Sequence, residues 1–193
     1  MTLTFLDVGG HEGQTLEEAT KPRWPFDRIH CLEPMPAQFD LLRDRFPDVT
    51  VHPFGLAAET GPRTLYGSNA GMESSIYSAK NDVDSNVETD CFFVAASQFV
   101  RYWCPTGDLV VKLNCEGAEI EILDDLIDSG SIWRCANVMI DFDIRKVPGE
   151  EHHEQRILSR LRGIGFDRFS LCDDVMRGDT HQDRIANWLG GVL

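Results

Sequence analysis

The sequence predicts an α/β fold: a doubly wound, mostly parallel sheet that ends in a C-terminal antiparallel hairpin. Three observations predict it. Short apolar runs alternate with segments of helical spacing along the whole chain. The run from Asp108 to Cys115 is apolar almost throughout, as a strand covered on both faces must be. The first apolar run, Thr2 to Val8, meets a glycine cluster at once, and this is how a strand turns tightly into a helix.

The remaining elements follow in order. Glu12 to Thr20 carries helix-forming residues, and Arg28 to Glu33 is a second strand closed by Pro34. Pro36 to Phe46 has apolar positions 39, 42 and 46 on one helical face. Val49 to Ala57 predicts a third strand, and Glu59 to Asp90 turns polar, predicting a hairpin and loop over the sheet. Strand signals return at Cys91 to Val94 and at Asp108 to Cys115, the latter as a central parallel strand. Glu116 to Ile127 predicts a helix with Ile120, Leu123 and Ile127 on one face, Ala136 to Ile144 a strand, and Glu150 to Ile164 a helix closed by Gly165. Arg168 to Cys172 and Ile185 to Val192 predict the terminal hairpin, because about a dozen polar residues between them are too few for a helical crossover.

The 193 residues suit one domain, with 42% hydrophobic and 26% charged residues in the ordinary globular range. A net charge of −14 without a Lys/Arg cluster opposes nucleic acid and anionic membranes as partners. No stretch nears the roughly 18 to 20 apolar residues of a membrane span, and no basic segment followed by an apolar run opens the chain, so the expected location is cytoplasmic. The six cysteines, Cys31, Cys91, Cys104, Cys115, Cys135 and Cys172, are dispersed without metal-ligand spacing and read as reduced core residues. His152-His153 beside Glu150 and Glu151 has no evident third ligand, so no metal is expected.

In a doubly wound sheet the ligand sits beyond the carboxyl ends of the strands, near the first strand-to-helix turn. Here that turn is Leu6-Asp7-Val8-Gly9-Gly10-His11-Glu12-Gly13. Its glycines allow close backbone approach and its amides favour an anionic group, although a tight turn needs glycine for backbone reasons alone. Glu33 closes the next strand where an acidic side chain accepts from both hydroxyls of an adenosine ribose; otherwise it is a strand-end carboxylate. Together they indicate a nucleoside-bearing cofactor. The turn matches the dinucleotide pattern G-x-G-x-x-G poorly, against a nicotinamide-dependent oxidoreductase.

Four segments resemble the FkbM type of S-adenosylmethionine-dependent methyltransferase. Phe5-Leu-Asp-Val-Gly-Gly-His-Glu-Gly13 is similar to the first motif of class I methyltransferases, Cys31-Leu-Glu-Pro34 to the second strand ending, and Met72-Glu-Ser-Ser-Ile76 to a serine-bearing loop. Val111-Lys-Leu-Asn-Cys-Glu-Gly-Ala-Glu-Ile-Glu-Ile-Leu123 follows the family's K-I-D-V-E-G-A-E block, so the resemblance spans Phe5 to about Asp143. It implies a Rossmann-like fold with S-adenosylmethionine as cofactor. Asp7 and the turn Gly9, Gly10, His11 and Gly13 would hold the methionine end, Glu33 the ribose, and Ser74 or Ser75 would approach the adenine side. Lys112, Asn114 and Glu116 would line the site. Asn114 departs from the family's Asp, and an amide is neither a base nor a good ligand for a hard cation.

The family implies methyl transfer to oxygen on a small-molecule or carbohydrate-like acceptor. The candidate bases by location are Glu116, His11 and Asp141. Each has a structural alternative: Glu116 as a helix cap, His11 as a solvated or carbonyl-bonded imidazole, Asp141 or Asp143 as a strand-end carboxylate. A catalytically silent S-adenosylmethionine-binding module is the second reading. The chain starts almost on its first strand, without the helical extension that covers the acceptor pocket in such enzymes, so an open pocket or one closed by a partner subunit of a homo-oligomer is expected.

Overall fold

The computed structural model describes residues 2–67 and 74–193. The chain runs β1 (Leu3–Val8), α1 (Leu16–Ala19), β2 (Arg28–Leu32), α2 (Pro36–Arg45), β3 (Thr50–His52), β4 (Gly55–Ala57), β5 (Gly61–Tyr66), β6 (Glu88–Ala95) and α3 (Ala96–Trp103). It continues with β7 (Asp108–Leu113), α4 (Glu119–Asp128), β8 (Cys135–Ile140), α5 (His152–Gly163), β9 (Phe169–Leu171), α6 (Cys172–Val175) and α7 (His181–Val192).

Six strands form one sheet in the order β3-β2-β1-β7-β8-β9, and every neighbouring pair is parallel. The chain winds outward from β1 to β3, then returns to β7 beside β1 and winds the other way. The switch point therefore lies between the carboxyl ends of β1 and β7, where a doubly wound fold opens its ligand crevice. The apolar run at Asp108 to Cys115 becomes β7, with Val110, Val111 and Leu113 buried as a strand covered on both faces requires. A separate three-stranded sheet, β4-β6-β5, combines one parallel and one antiparallel pair.

The terminal hairpin is not formed. β9 adds to β8 in parallel, and Ile185 to Val192 belongs to the helix α7. Two local features make this segment helical. Thr180 and Asp183 form a reciprocal capping box, and Ile185, Trp188 and Leu189 recur at helical spacing and are buried against Phe5, Val110 and Met139.

The single strand expected at Val49 to Ala57 is two strands in two sheets, with Pro53-Phe54 between them. Proline has no N–H to give a ladder and ends the pairing there. The polar stretch after Glu59 does supply a hairpin strand, β5, paired to β6. Helix α3 is an element the sequence reading passes over; Phe99 and Trp103, four apart, stack their rings at 5.2 Å. No helix among the described residues is long and apolar enough to cross a membrane.

Candidate functional site

The turn after β1 folds back on its neighbours. Gly9 N and Gly10 N both donate to Leu32 O, at 3.0 and 3.3 Å. Gly9 has φ +83°, and a Cβ there would lie 1.9 Å from the Asn114 carbonyl oxygen. A Cβ on Gly10 would meet Cys31 Sγ at 2.2 Å, and one on Gly13 the Phe46 ring at 2.3 Å. The three glycines are thus required by the packing of the turn between the ends of β2 and β7 and the helix α2, before any ligand is considered.

Beneath the turn, Asp7 is fully buried and accepts from Lys112 Nζ at 2.8 Å, while the same ammonium donates to Gly9 O at 3.2 Å. Burial opposes the Lys112 charge, but the Asp7 carboxylate outweighs it and raises the lysine pKa. This ion pair ties β1 to β7 at the switch point, and losing either partner would strand a buried charge.

Glu33 follows β2 and is 6% exposed. Its Oε2 accepts from His11 N at 2.8 Å and its Oε1 from Met35 N at 3.0 Å. Burial pushes its pKa up to about 7, against the pull of those two amides. His11 has a left-handed backbone, and its Nε2 is buried with no hydrogen-bond partner among the described residues.

Glu116 lies beyond β7 and also has a left-handed backbone. Its Oε2 is 2.7 Å from Nζ of the buried Lys80, which also pairs with Asp82. Burial raises the Glu116 pKa to about 7, Lys80 lowers it and Asp143 raises it. Glu116 is not a helix cap: α4 begins after Ala118 without a side-chain cap, and the Glu119 carboxylate instead accepts from Gly117 N and Ile144 N, each at 2.8 Å. The buried Ser75 hydroxyl donates to the Glu116 carbonyl.

These groups surround a cavity of about 400 Å³ over the switch point. Gly9, Gly10, His11, Glu33, Asn114 and Glu116 line it, with Lys112 at its floor. Leu56, Leu65, Ile76 and Phe93, drawn largely from the small sheet, make an apolar wall. Gln14, Thr15 and His181 make a polar one. Ser74 faces the cavity, whereas Asp7, Gly13 and Ser75 stand behind its lining. Met72 and Glu73 of the serine-bearing loop lie outside the described residues.

A second cavity, about 310 Å³, shares Asn114 and Glu116 with the first and is lined further by Asp141, Asp143, Arg145, Lys146 and Asp173. Asp141 therefore belongs to this second space. Asp143 pairs with Lys146 and Asp173 with Arg145, each at 2.7 Å, while Asp141 has no ion-pair partner among the described residues. Burial raises the Asp141 pKa, and Asp143 adds to it. No group of three or more His, Cys, Asp or Glu side chains is placed to hold a metal among the described residues.

Sequence reasoning missed His181, Lys80 and the apolar wall. Only His181 carried a local signal, the Thr180-x-x-Asp183 capping pattern that opens a helix. Lys80 sits in a polar stretch and reaches Glu116 only through the tertiary fold.

Strand order, crevice and cavity define a Rossmann-like, doubly wound α/β protein with a ligand-sized space at its switch point. No protein-family model matches the chain, and no curated protein sequence does. Among solved structures, methyltransferase FkbM from Methylobacillus flagellatus KT is similar, with 17% sequence identity over 67% of this chain and a TM-score of 0.41. The chain spans only 30% of that protein's length, and a likeness so distant carries no argument about activity.

Proposed function

We propose that the protein is an S-adenosylmethionine-dependent methyltransferase, a single catalytic domain that methylates oxygen on a small or carbohydrate-like acceptor. The observation that carries this reading is Glu33, a buried carboxylate at the end of β2 facing a cavity at the switch point. A carboxylate so presented accepts hydrogen bonds from adjacent ribose hydroxyls. The cavity volume suits a nucleoside ligand, its apolar wall of Leu56, Leu65 and Phe93 suits a flat base, and the buried His11 Nε2, without a partner among the described residues, leaves a polar group to be satisfied. The motif resemblance between Phe5 and Leu123 selects S-adenosylmethionine over a dinucleotide.

When bound, the cofactor supplies an already activated methyl group. The chain's work is then to bind, to orient and to take a proton. Glu33 anchors the ribose, and Gly9, Gly10 and His11 enclose the methionine end, with Gly13 packed behind them. Asp7 acts through Lys112, holding together the strand ends that frame the site. Ser74 faces the ligand, while Ser75 fixes the Glu116 backbone. Asn114 and Glu116 form the wall common to both cavities, so the acceptor belongs in the second, charged space. Glu116, with a pKa raised to about 7, is matched to removing a hydroxyl proton near neutral pH. His11 from the first cavity and Asp141 from the second are the alternative bases.

Calorimetry with S-adenosylhomocysteine, followed by an assay of its release in the presence of hydroxylated acceptors, tests the reading. Binding without turnover on any acceptor would favour a silent binding module, the reading that the amide of Asn114 supports. Thermal stabilisation by NAD but not by S-adenosylhomocysteine would overturn the proposal.

A further inference from the structure

His181 stands at the start of α7 and lines the first cavity, although it is 166 residues from Thr15, the residue it contacts there. Its Nε2 lies 3.2 Å from Thr15 Oγ1, which leaves Nδ1 for a ligand. The helix behind it is firmly held. Ile185, Trp188 and Leu189 are buried in the core on the outer face of β1 and β7, Trp188 Nε1 donates to Asn137 Oδ1 at 3.1 Å, and the Thr180–Asp183 box fixes the first turn.

The charge at this polar end is informative. Lys112 is matched by Asp7 at 2.8 Å, so the ammonium beneath the turn is already neutralised. Burial lowers the His181 pKa and Lys112 lowers it further, against the opposing pull of Asp7 and Glu17, which favours the neutral imidazole with one N–H to donate. The 12-residue helix α7 directs its positive end toward the same wall, which favours an anionic over a cationic group. Nearby, Gln14 Nε2 is 3.5 Å from His11 Nδ1, and His11 Nε2 remains buried without a partner among the described residues. Such a group requires a ligand or solvent to satisfy it.

We propose that His181 and the first turn of α7 bind the carboxylate at the amino-acid end of the cofactor, with the imidazole Nδ1–H donating to it. This rests on the cofactor reading above. It makes the C-terminal helix a wall of the cofactor site, and His181 a residue that recognises the amino-acid portion and not the nucleoside.

The test uses the full chain and two ligands: S-adenosylhomocysteine, and 5′-methylthioadenosine, which keeps the nucleoside and thioether but lacks the amino and carboxylate groups. Calorimetry is run on the wild type, His181→Ala and His181→Gln, with melting temperatures recorded for each. In the wild type, S-adenosylhomocysteine binds more tightly than methylthioadenosine. The Ala change weakens S-adenosylhomocysteine by about tenfold, the loss expected of one hydrogen bond to a charged group, and leaves methylthioadenosine within about twofold. The Gln change, which retains an N–H donor, recovers part of the loss. An equal loss for both ligands, or no loss for either, would overturn the assignment of His181 to the carboxylate. If the wild type binds neither ligand, the cofactor reading itself fails and takes this proposal with it.

Discussion

His11 and Glu116 are the non-glycine residues with left-handed backbone among the described residues, at φ 48° and 57°, and both line the same cavity. The His11 amide is held there by Glu33, and the Glu116 carbonyl by Ser75. Such backbone strain costs about 1–3 kcal/mol per residue and survives only where surrounding contacts impose it, which is common at ligand sites. Two strained residues on one cavity are an argument for its use that involves no sequence comparison.

The strain is measurable at His11. At an ordinary position Gly is less stable than Ala by about 0.5–1 kcal/mol. Here the order is expected to invert, with His11→Gly more stable than His11→Ala by about 1 kcal/mol, because only Gly adopts φ 48° without steric cost. Urea denaturation of the two variants decides it. The ordinary order would show that the left-handed backbone stores no strain.

Glu33 predicts a pH dependence of cofactor binding. Its pKa is raised by burial to about 7, and the ribose hydroxyls need the ionised form as acceptor. Affinity for S-adenosylhomocysteine should therefore rise as pH passes upward through 7, and fall by up to about tenfold per unit below it. Glu116 titrates in the same range, so the comparison is with Glu33→Gln, in which the dependence should flatten and affinity at high pH should drop. A Gln variant with an unchanged profile would assign the dependence to another group.

A buried imidazole pair sets a second titration. His30 Nδ1 and His52 Nε2 are 2.9 Å apart, packed against Phe99, and burial followed by the His30 charge lowers the His52 pKa to about 4. Below about 6.5 the unfolded chain takes this proton first, while the folded one resists until about 4. The site's contribution to stability is therefore complete above 6.5 and lost as pH falls toward 4, up to about 3 kcal/mol. Glu33, Glu116 and Glu119, all raised to about 7, act in the opposite sense: protonation relieves their buried charge as pH falls below 7. Global unfolding sums these effects, so ring resonances followed by NMR are the cleaner measurement. The His52 ring should stay neutral down to about pH 5; a midpoint near 6.5 would contradict its burial.

Helix α7 is predicted to be integral to the core. Trp188 is 1% exposed and joins Phe5, Val110 and Met139, so Trp188→Ala should cost about 3–5 kcal/mol. Thr180→Ala, which removes the capping box, should cost about 1 kcal/mol. Both are read from urea unfolding. A loss below about 1 kcal/mol for Trp188→Ala would mean that α7 is only loosely docked and that His181 is not held over the cavity.

Much of the architecture was legible because its signals are local. The apolar run ending at Leu113 marks a strand buried on both faces, Gly9 and Gly10 mark the turn that follows β1, and Pro34 marks the end of β2. The errors have equally local causes. The short polar loop before Ile185 to Val192 argues for a hairpin only if the Thr180–Asp183 cap, which starts a helix four residues before Ile185, is left out of account. Val49 to Ala57 has the apolar content of one strand, but Pro53 divides it into β3 and β4.

From spacing and composition alone, the sequence determined that strands and helices alternate, that a glycine turn follows the first strand, and that Glu33 and Glu116 follow strands whose ends could meet a ligand. These are properties of a few consecutive residues, governed by backbone conformation and by which face of an element is apolar. Only the tertiary structure decided that β7 lies beside β1, that Gly9 is required by the Asn114 carbonyl, that Lys80 holds Glu116, and that His181 faces Thr15 across 166 residues of chain. Those contacts form because the sheet and α7 bury their apolar faces together, and the register of that burial, which no local pattern specifies, sets which polar side chains share a wall.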